Sequence, residues 1–333
     1  MKLDRHHIAR GAISGMLALT VFLATPQATG TQNEPVATPE DHTAALTESN
    51  SRSQPLPYIN ALDIVRQNGA RRLPLRSGVA LVMDTREGVM LYENNADQPR
   101  PIASLTKLMS ALVILEAELP LTEAIAITRE DRDRLRGTHS RLPFDSVYTR
   151  LDLLHAALAA SDNRAAAALA RTYPGGKEAF VQAMNAKAQQ LGMLSTRYAD
   201  ASGLDSNNIS TARDLVKLIA AVDKHLLFHQ LTTTASFGVT NLRTGKQIAF
   251  VNTNRLARSG SWEIELSKTG YTAAAGNCIA MQTTINSRPL TIVLLNSWGK
   301  LDKFGDSVRI RDWLTKTEHR ISTQKQILAR IES

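Results

Sequence analysis

The chain has 333 residues, 43% of them hydrophobic and 21% charged, with a formal net charge of +8. That balance supports a packed core and excludes a disordered or fibrous chain. The lone cysteine, Cys278, excludes an internal disulfide framework, and no dense basic patch with interleaved aromatics suggests a nucleic-acid partner.

Lys2, Arg5, His6, His7 and Arg10 precede an apolar stretch at 12–24, and small or turn-forming residues follow at 25–30. This layout predicts a secretory signal peptide over 1–28. The apolar run is shorter than the roughly 20 residues a membrane-spanning helix needs. Residues 29–57 are rich in Thr, Pro, Asn, Ser and Gln and predict a disordered linker, because they cannot bury enough surface to offset their ordering entropy. A catalytic domain is expected over 58–318 and a tail over 319–333. Of the net charge, +6 lies outside residues 1–28 and favours anionic surroundings, such as a wall polymer or phospholipid head groups.

Alternation predicts strands at 78–84 and 88–92, joined by a hairpin through Thr85, Arg86, Glu87 and Gly88. Residues 105–115 are apolar on nearly every side, which predicts a buried, central helix. Helical spacing recurs at 151–160, 164–171, 177–191 and 211–222. Strands return at 235–240 and 247–251 around Arg243-Thr244-Gly245-Lys246, then at 263–267, 278–285 and 290–295. A closing helix is expected over 306–315. The first and last strands must meet, so the economical picture is one antiparallel sheet interrupted by a helical insertion.

Three short motifs follow in order: Ser104-Leu105-Thr106-Lys107, Ser161-Asp162-Asn163 and Lys268-Thr269-Gly270. Ser104 and Lys107 are three apart at a helix start and would share a face. Serine needs a base, and lysine is one only when neutral, a state favoured by burial and by nearby positive charge such as that of Lys268. Ser-x-x-Lys alone is weak evidence, since Ser297-Trp298-Gly299-Lys300 repeats it in what reads as a turn. Ser161-Asp162-Asn163 falls at a helix–helix junction, where an ordinary helix cap is the plain reading. As chemistry, Ser161 would pass a proton to the leaving amine, and Asn163 would orient Lys107 and hold a substrate carbonyl. Lys268 and Thr269 can bind a substrate carboxylate, Gly270 would let substrate backbone approach, and Tyr271 N–H could complete an oxyanion hole with that of Ser104.

The trio is the signature shared by penicillin-binding proteins and class A β-lactamases. Over about residues 75–315 the chain resembles a low-molecular-mass penicillin-binding protein of the serine D-Ala-D-Ala peptidase family, endopeptidase type. Arg100-Pro101-Ile102-Ala103-Ser104, Tyr173-Pro174-Gly175-Gly176, Ser210-Thr211-Ala212-Arg213-Asp214-Leu215 and Lys268-Thr269-Gly270-Tyr271-Thr272 carry the likeness. The resemblance implies an α+β fold of the β-lactamase/transpeptidase type, with a five-stranded antiparallel sheet flanked by helices and an inserted helical subdomain. It implies a periplasmic enzyme that hydrolyses peptidoglycan cross-links through an acyl-enzyme on Ser104, with stem peptides as substrate and β-lactams as covalent inhibitors. It implies no cofactor. Only 63 residues follow Gly270, too few for the extra β-rich domain usual in carboxypeptidases of the family, which favours the endopeptidase branch.

The alternatives are a carboxypeptidase of the same family and, less well supported, a class A β-lactamase. The latter uses a dedicated glutamate for deacylation, and none occurs between Glu178 and Glu263. His225 and His229 have zinc-compatible spacing, but Leu226 stands where the glutamate of a zinc-helix motif belongs, so no metal site is expected. Cys278 reads as a small buried hydrophobe. Ile321, Leu328 and Ile331 among Arg320, Lys325 and Arg330 could make the tail a short amphipathic helix, open to weak contact with membrane or wall machinery.

Overall fold

The structure is a computed structural model describing residues 58–332; the expected signal peptide and linker lie outside these residues. It begins with a helix the sequence reading passed over, α1 (Ala61–Asn68), whose N-terminus is capped by the Asn60 side chain. The alternating stretches become β1 (Ser77–Asp84) and β2 (Val89–Asn94). After β3 (Arg100–Pro101), a 3₁₀ turn at Ala103–Leu105 leads into α2 (Thr106–Glu116). Every α2 residue from Thr106 to Ile114 is buried, as an all-round apolar helix requires.

The insertion comprises β4 (Ala124–Ala126), β5 (Val147–Thr149), α3 (Arg150–Leu158), α4 (Asn163–Arg171), α5 (Gly176–Gln190), β6 (Ile209–Ser210), α6 (Ala212–Val222) and α7 (Leu226–Thr233). The expected hairpin is β7 (Ser236–Thr240) with β8 (Gln247–Val251), followed by the short α8 (Arg255–Ser259). The chain closes with β9 (Glu263–Thr272), β10 (Gly276–Ile285), β11 (Arg288–Ser297) and α9 (Asp302–Glu332).

The sheet is five-stranded and antiparallel in the order β2-β1-β11-β10-β9, so first and last strands do meet. Its side chains alternate between two cores. Val79, Leu81, Ala280, Val293 and Leu295 pack with α2 and the insertion, whereas Ala80, Val82, Ile279, Ile292 and Leu294 pack with α1 and α9. Cys278 is fully buried in the first core, and burial pushes its thiol up to about 11, in keeping with an inert hydrophobe.

Two elements run longer than expected. The strand expected to end at Ser267 continues to Thr272, so Lys268-Thr269-Gly270 lies within β9 rather than at its end. Pairing with β10 holds it extended, Lys268 facing Ala280 and Gly270 facing Cys278. The closing helix, expected over 306–315, spans Asp302–Glu332. Residues there alternate between faces that pack on the sheet, such as Ile310 and Leu314, and exposed polar ones.

One buried ion cluster ties the second core together. Arg288, 1% exposed, meets Asp84 and the Ile59 carbonyl, and its Nε donates to Glu318 at 2.8 Å. Arg288→Met is expected to cost about 3–5 kcal/mol, because it strands a buried Asp84 carboxylate without its partner. The urea midpoint checks this; a change under 1 kcal/mol would show that Asp84 finds other compensation.

Candidate active site

Ser104 stands on the turn ahead of α2, and Lys107 lies in the first turn of the helix. Lys107 Nζ is 2.8 Å from Ser104 Oγ, 2.7 Å from Asn163 Oδ1 and 2.7 Å from the Ser202 carbonyl oxygen. The last two atoms can only accept. A neutral amine has two N–H groups and one lone pair. It can therefore donate to Asn163 and Ser202 while accepting the Ser104 hydroxyl, which satisfies all three contacts. Burial pushes the Lys107 amine down to about 7, against the pull of Asp200, Asp162 and Asp133. Near neutrality a large share of Lys107 is thus able to take a proton.

The backbone around Ser104 is held in an unusual shape. Ala103 adopts a φ of 46°, and its carbonyl accepts from Thr106 Oγ1 at 2.8 Å. Gly203, itself at φ +83°, leans so closely on that carbonyl that an added Cβ would lie 1.9 Å from the oxygen. The Asp200 carboxylate shapes this supporting loop. It accepts from the N–H groups of Ser202 and Gly203 at 2.6 Å each and of Asp205 at 2.7 Å. That turn aims the Ser202 carbonyl at Lys107.

At the α3–α4 junction the helix-cap reading holds for one residue of three. Asp162 caps α4 by accepting from Ala165 N at 2.9 Å. Its neighbours are thereby left to face the cleft. Ser161 takes a left-handed φ of 61°, and Asn163 donates through Nδ2 to Thr138 Oγ1 at 2.9 Å. Thr138 is fixed in turn by Asp133 at 2.6 Å.

The third side of the site is β9, an edge strand. Lys268 is 1% exposed, and its Nζ donates to the Thr269 carbonyl at 3.0 Å. Burial, then the Lys107 charge, hold its amine well below the usual lysine range. Thr269 Oγ1 donates to Thr253 Oγ1 at 2.7 Å. A Cβ on Gly270 would come within 3.0 Å of Ser104 N and 3.1 Å of the Ile102 carbonyl. The glycine therefore admits the nucleophile's own turn, whereas the sequence reading reserved that space for substrate. Ser104, Ser161, Asn163, Thr253, Thr269, Gly270 and Tyr271 all line one cavity of about 860 Å³. Lys107 and Lys268 do not line it; both are buried behind its wall.

Residues 66–299 match the D-alanyl-D-alanine carboxypeptidase family. The chain belongs to that family. Its relatives include proteins named D-alanyl-D-alanine endopeptidase from Pseudomonas aeruginosa and Escherichia coli, 47% and 43% identical over 72% of this chain and 77% of each relative. Among solved structures, the Streptomyces K15 DD-transpeptidase superposes with a TM-score of 0.68 at 25% identity, covering 73% of this chain and 98% of that one.

Within this family frame, the structure brings together the residues the sequence singled out, with Lys268 behind the cleft instead of in it. Several supporting residues escaped notice. Ser202 acts through a backbone oxygen, which leaves no mark in sequence. Thr138 and Thr253 lie in loops without a motif. Asp200-Ala201-Ser202-Gly203 did carry a signal, an Asp followed by Ser-Gly at Asx-turn spacing. Gly203→Ala is expected to destabilise the protein by about 3 kcal/mol or more, since backbone meets Cβ and neither can swing away. It should also slow penicillin attachment. A variant with wild-type melting and labelling would show that the loop can retreat without disturbing Ala103.

Proposed function

We propose that the chain is a serine DD-peptidase acting on peptidoglycan as a D-alanyl-D-alanine endopeptidase, with β-lactams as covalent inhibitors. The observation that carries the reading is Lys107 Nζ, buried and bonded at once to Ser104 Oγ, Asn163 Oδ1 and the Ser202 carbonyl. Neutral Lys107 takes the Ser104 proton as Oγ attacks the carbonyl carbon of a D-alanine. The developing oxyanion is held by the N–H groups of Ser104 and Tyr271. The proton reaches the leaving amine by way of Ser161, the amine departs, and water then hydrolyses the ester. Thr269 receives the carboxylate beside the leaving amine, with the buried Lys268 amine behind it, and Asn163 steadies both Lys107 and the substrate.

A fast β-lactamase needs a carboxylate to activate water on the acyl-enzyme, and among the described residues no Asp or Glu lines the Ser104 cleft. This supports slow release of bound penicillin. The basic-then-apolar leader supports delivery to the periplasm. Of the apolar tail residues expected to face outward, Ile321 is instead buried in the second core, whereas Leu328 and Ile331, with Ile327 beside them, are exposed on α9 near Lys325 and support a weak contact with a lipid surface.

Digestion of purified cross-linked muropeptide dimers tests the reading. Dimers should become monomers. Intact dimers together with loss of the terminal D-alanine from pentapeptides would make the protein a carboxypeptidase instead.

A further inference from the structure

Trp298 is 92% exposed at the rim of the Ser104 cleft, and Leu301 beside it is 54% exposed. Large apolar side chains this bare, grouped at the mouth of a site, call for a ligand. The backbone that carries them is anchored. Trp298 N donates to the Arg76 carbonyl at 3.4 Å, Gly299 N to Asp302 Oδ2 at 2.7 Å, and α9 starts at Asp302. The segment is the second Ser-x-x-Lys of the sequence, here a fixed turn between β11 and α9.

Its place relative to the chemistry follows from strand register. Tyr271 pairs with Asn277, and Asn277 pairs with Ser297, next to Trp298. Two strand spacings separate Tyr271 from the turn, roughly 10 Å. An extended peptide covers that distance in about three residues. Thr269 and Thr253 mark the end of the cleft assigned to the leaving group, so Tyr271 marks the end through which the acyl donor extends. Charge agrees: Lys300, exposed on the turn between Trp298 and Leu301, lines the cleft, and among the described residues no carboxylate does.

We propose that Trp298 and Leu301 form a shelf for the acyl-donor peptide upstream of its reacting D-alanine, taking an aliphatic segment, with Lys300 facing a carboxylate on the same peptide. The assignment rests on the serine peptidase reading above. It makes Trp298 a specificity residue for long, anionic donor peptides, with no part in the bond-breaking steps.

The test compares two second-order rate constants in Trp298→Ala. One is for cleavage of a muropeptide carrying the full donor stem. The other is for acylation by 6-aminopenicillanic acid, which has no side chain to reach the shelf. The ratio of the first to the second is expected to fall at least about tenfold, as for loss of a central aromatic contact. Trp298→Phe, which keeps a flat apolar face, should stay close to wild type. An unchanged ratio, whether both rates hold or both fall together, would overturn the shelf, as would a phenylalanine variant no better than alanine. Failure of the endopeptidase reading looks different: the wild type itself would spare dimers, and the ratio would then be measured on the pentapeptide it trims.

Discussion

Ser104→Ala is expected to lose covalent penicillin attachment altogether and to cut peptide cleavage by about 10⁶-fold, the scale seen when a serine hydrolase loses its nucleophile. The ground is geometric. Ser104 Oγ is the hydroxyl that lines the cleft and also lies 2.8 Å from a buried amine. Ser161 lines the same cavity, yet its hydroxyl is not among the partners of Lys107 Nζ. Intact-mass measurement after incubation with benzylpenicillin is the check. A stable adduct on the alanine variant would move the nucleophile elsewhere and remove the basis of the mechanism.

Lys107→Arg should be nearly as damaging, lowering acylation by about 10³-fold or more, because a guanidinium keeps the charge but never surrenders its proton. The wild-type pH profile carries the same information. The active form is the neutral amine, so acylation should rise with pH through about 7 and level off above it. Well below that point the neutral fraction falls tenfold per pH unit, giving about a 100-fold loss at pH 5. Stopped-flow acylation by a chromogenic β-lactam reads both effects. A flat profile between pH 5 and 9, or an arginine variant at wild-type speed, would mean that Lys107 is not the base.

Strands are legible in the sequence where alternation is clean, as at 78–84, and a buried helix is legible where Leu105 to Leu115 leave no polar face. The full length of β9 is not, because Lys268, Thr269 and Gly270 have no local reason to remain extended. Their conformation comes from the ladder to β10, a partner supplied by the fold. The end of α9 is not, because the later turns bury little, so the hydrophobic period fades while the backbone stays helical. Nor is α1, whose buried face amounts to Ala61 and Ile64 beside a polar stretch of sequence.

By itself the sequence determined the chemistry in outline: a serine and lysine one turn apart, a capping tripeptide and a lysine–threonine–glycine stretch, in an order that chance seldom produces. Those are properties of side-chain type and short spacing, and they survive without a fold. Only the tertiary structure decided which atoms meet. Lys107 finds Asn163 across 56 positions of chain and the Ser202 carbonyl across 95. The second partner is a backbone oxygen, the same on every residue, so nothing in the one-letter string could announce it. The packing that buries Lys107 also lowers its proton affinity, and burial belongs to the assembled domain rather than to any residue taken alone.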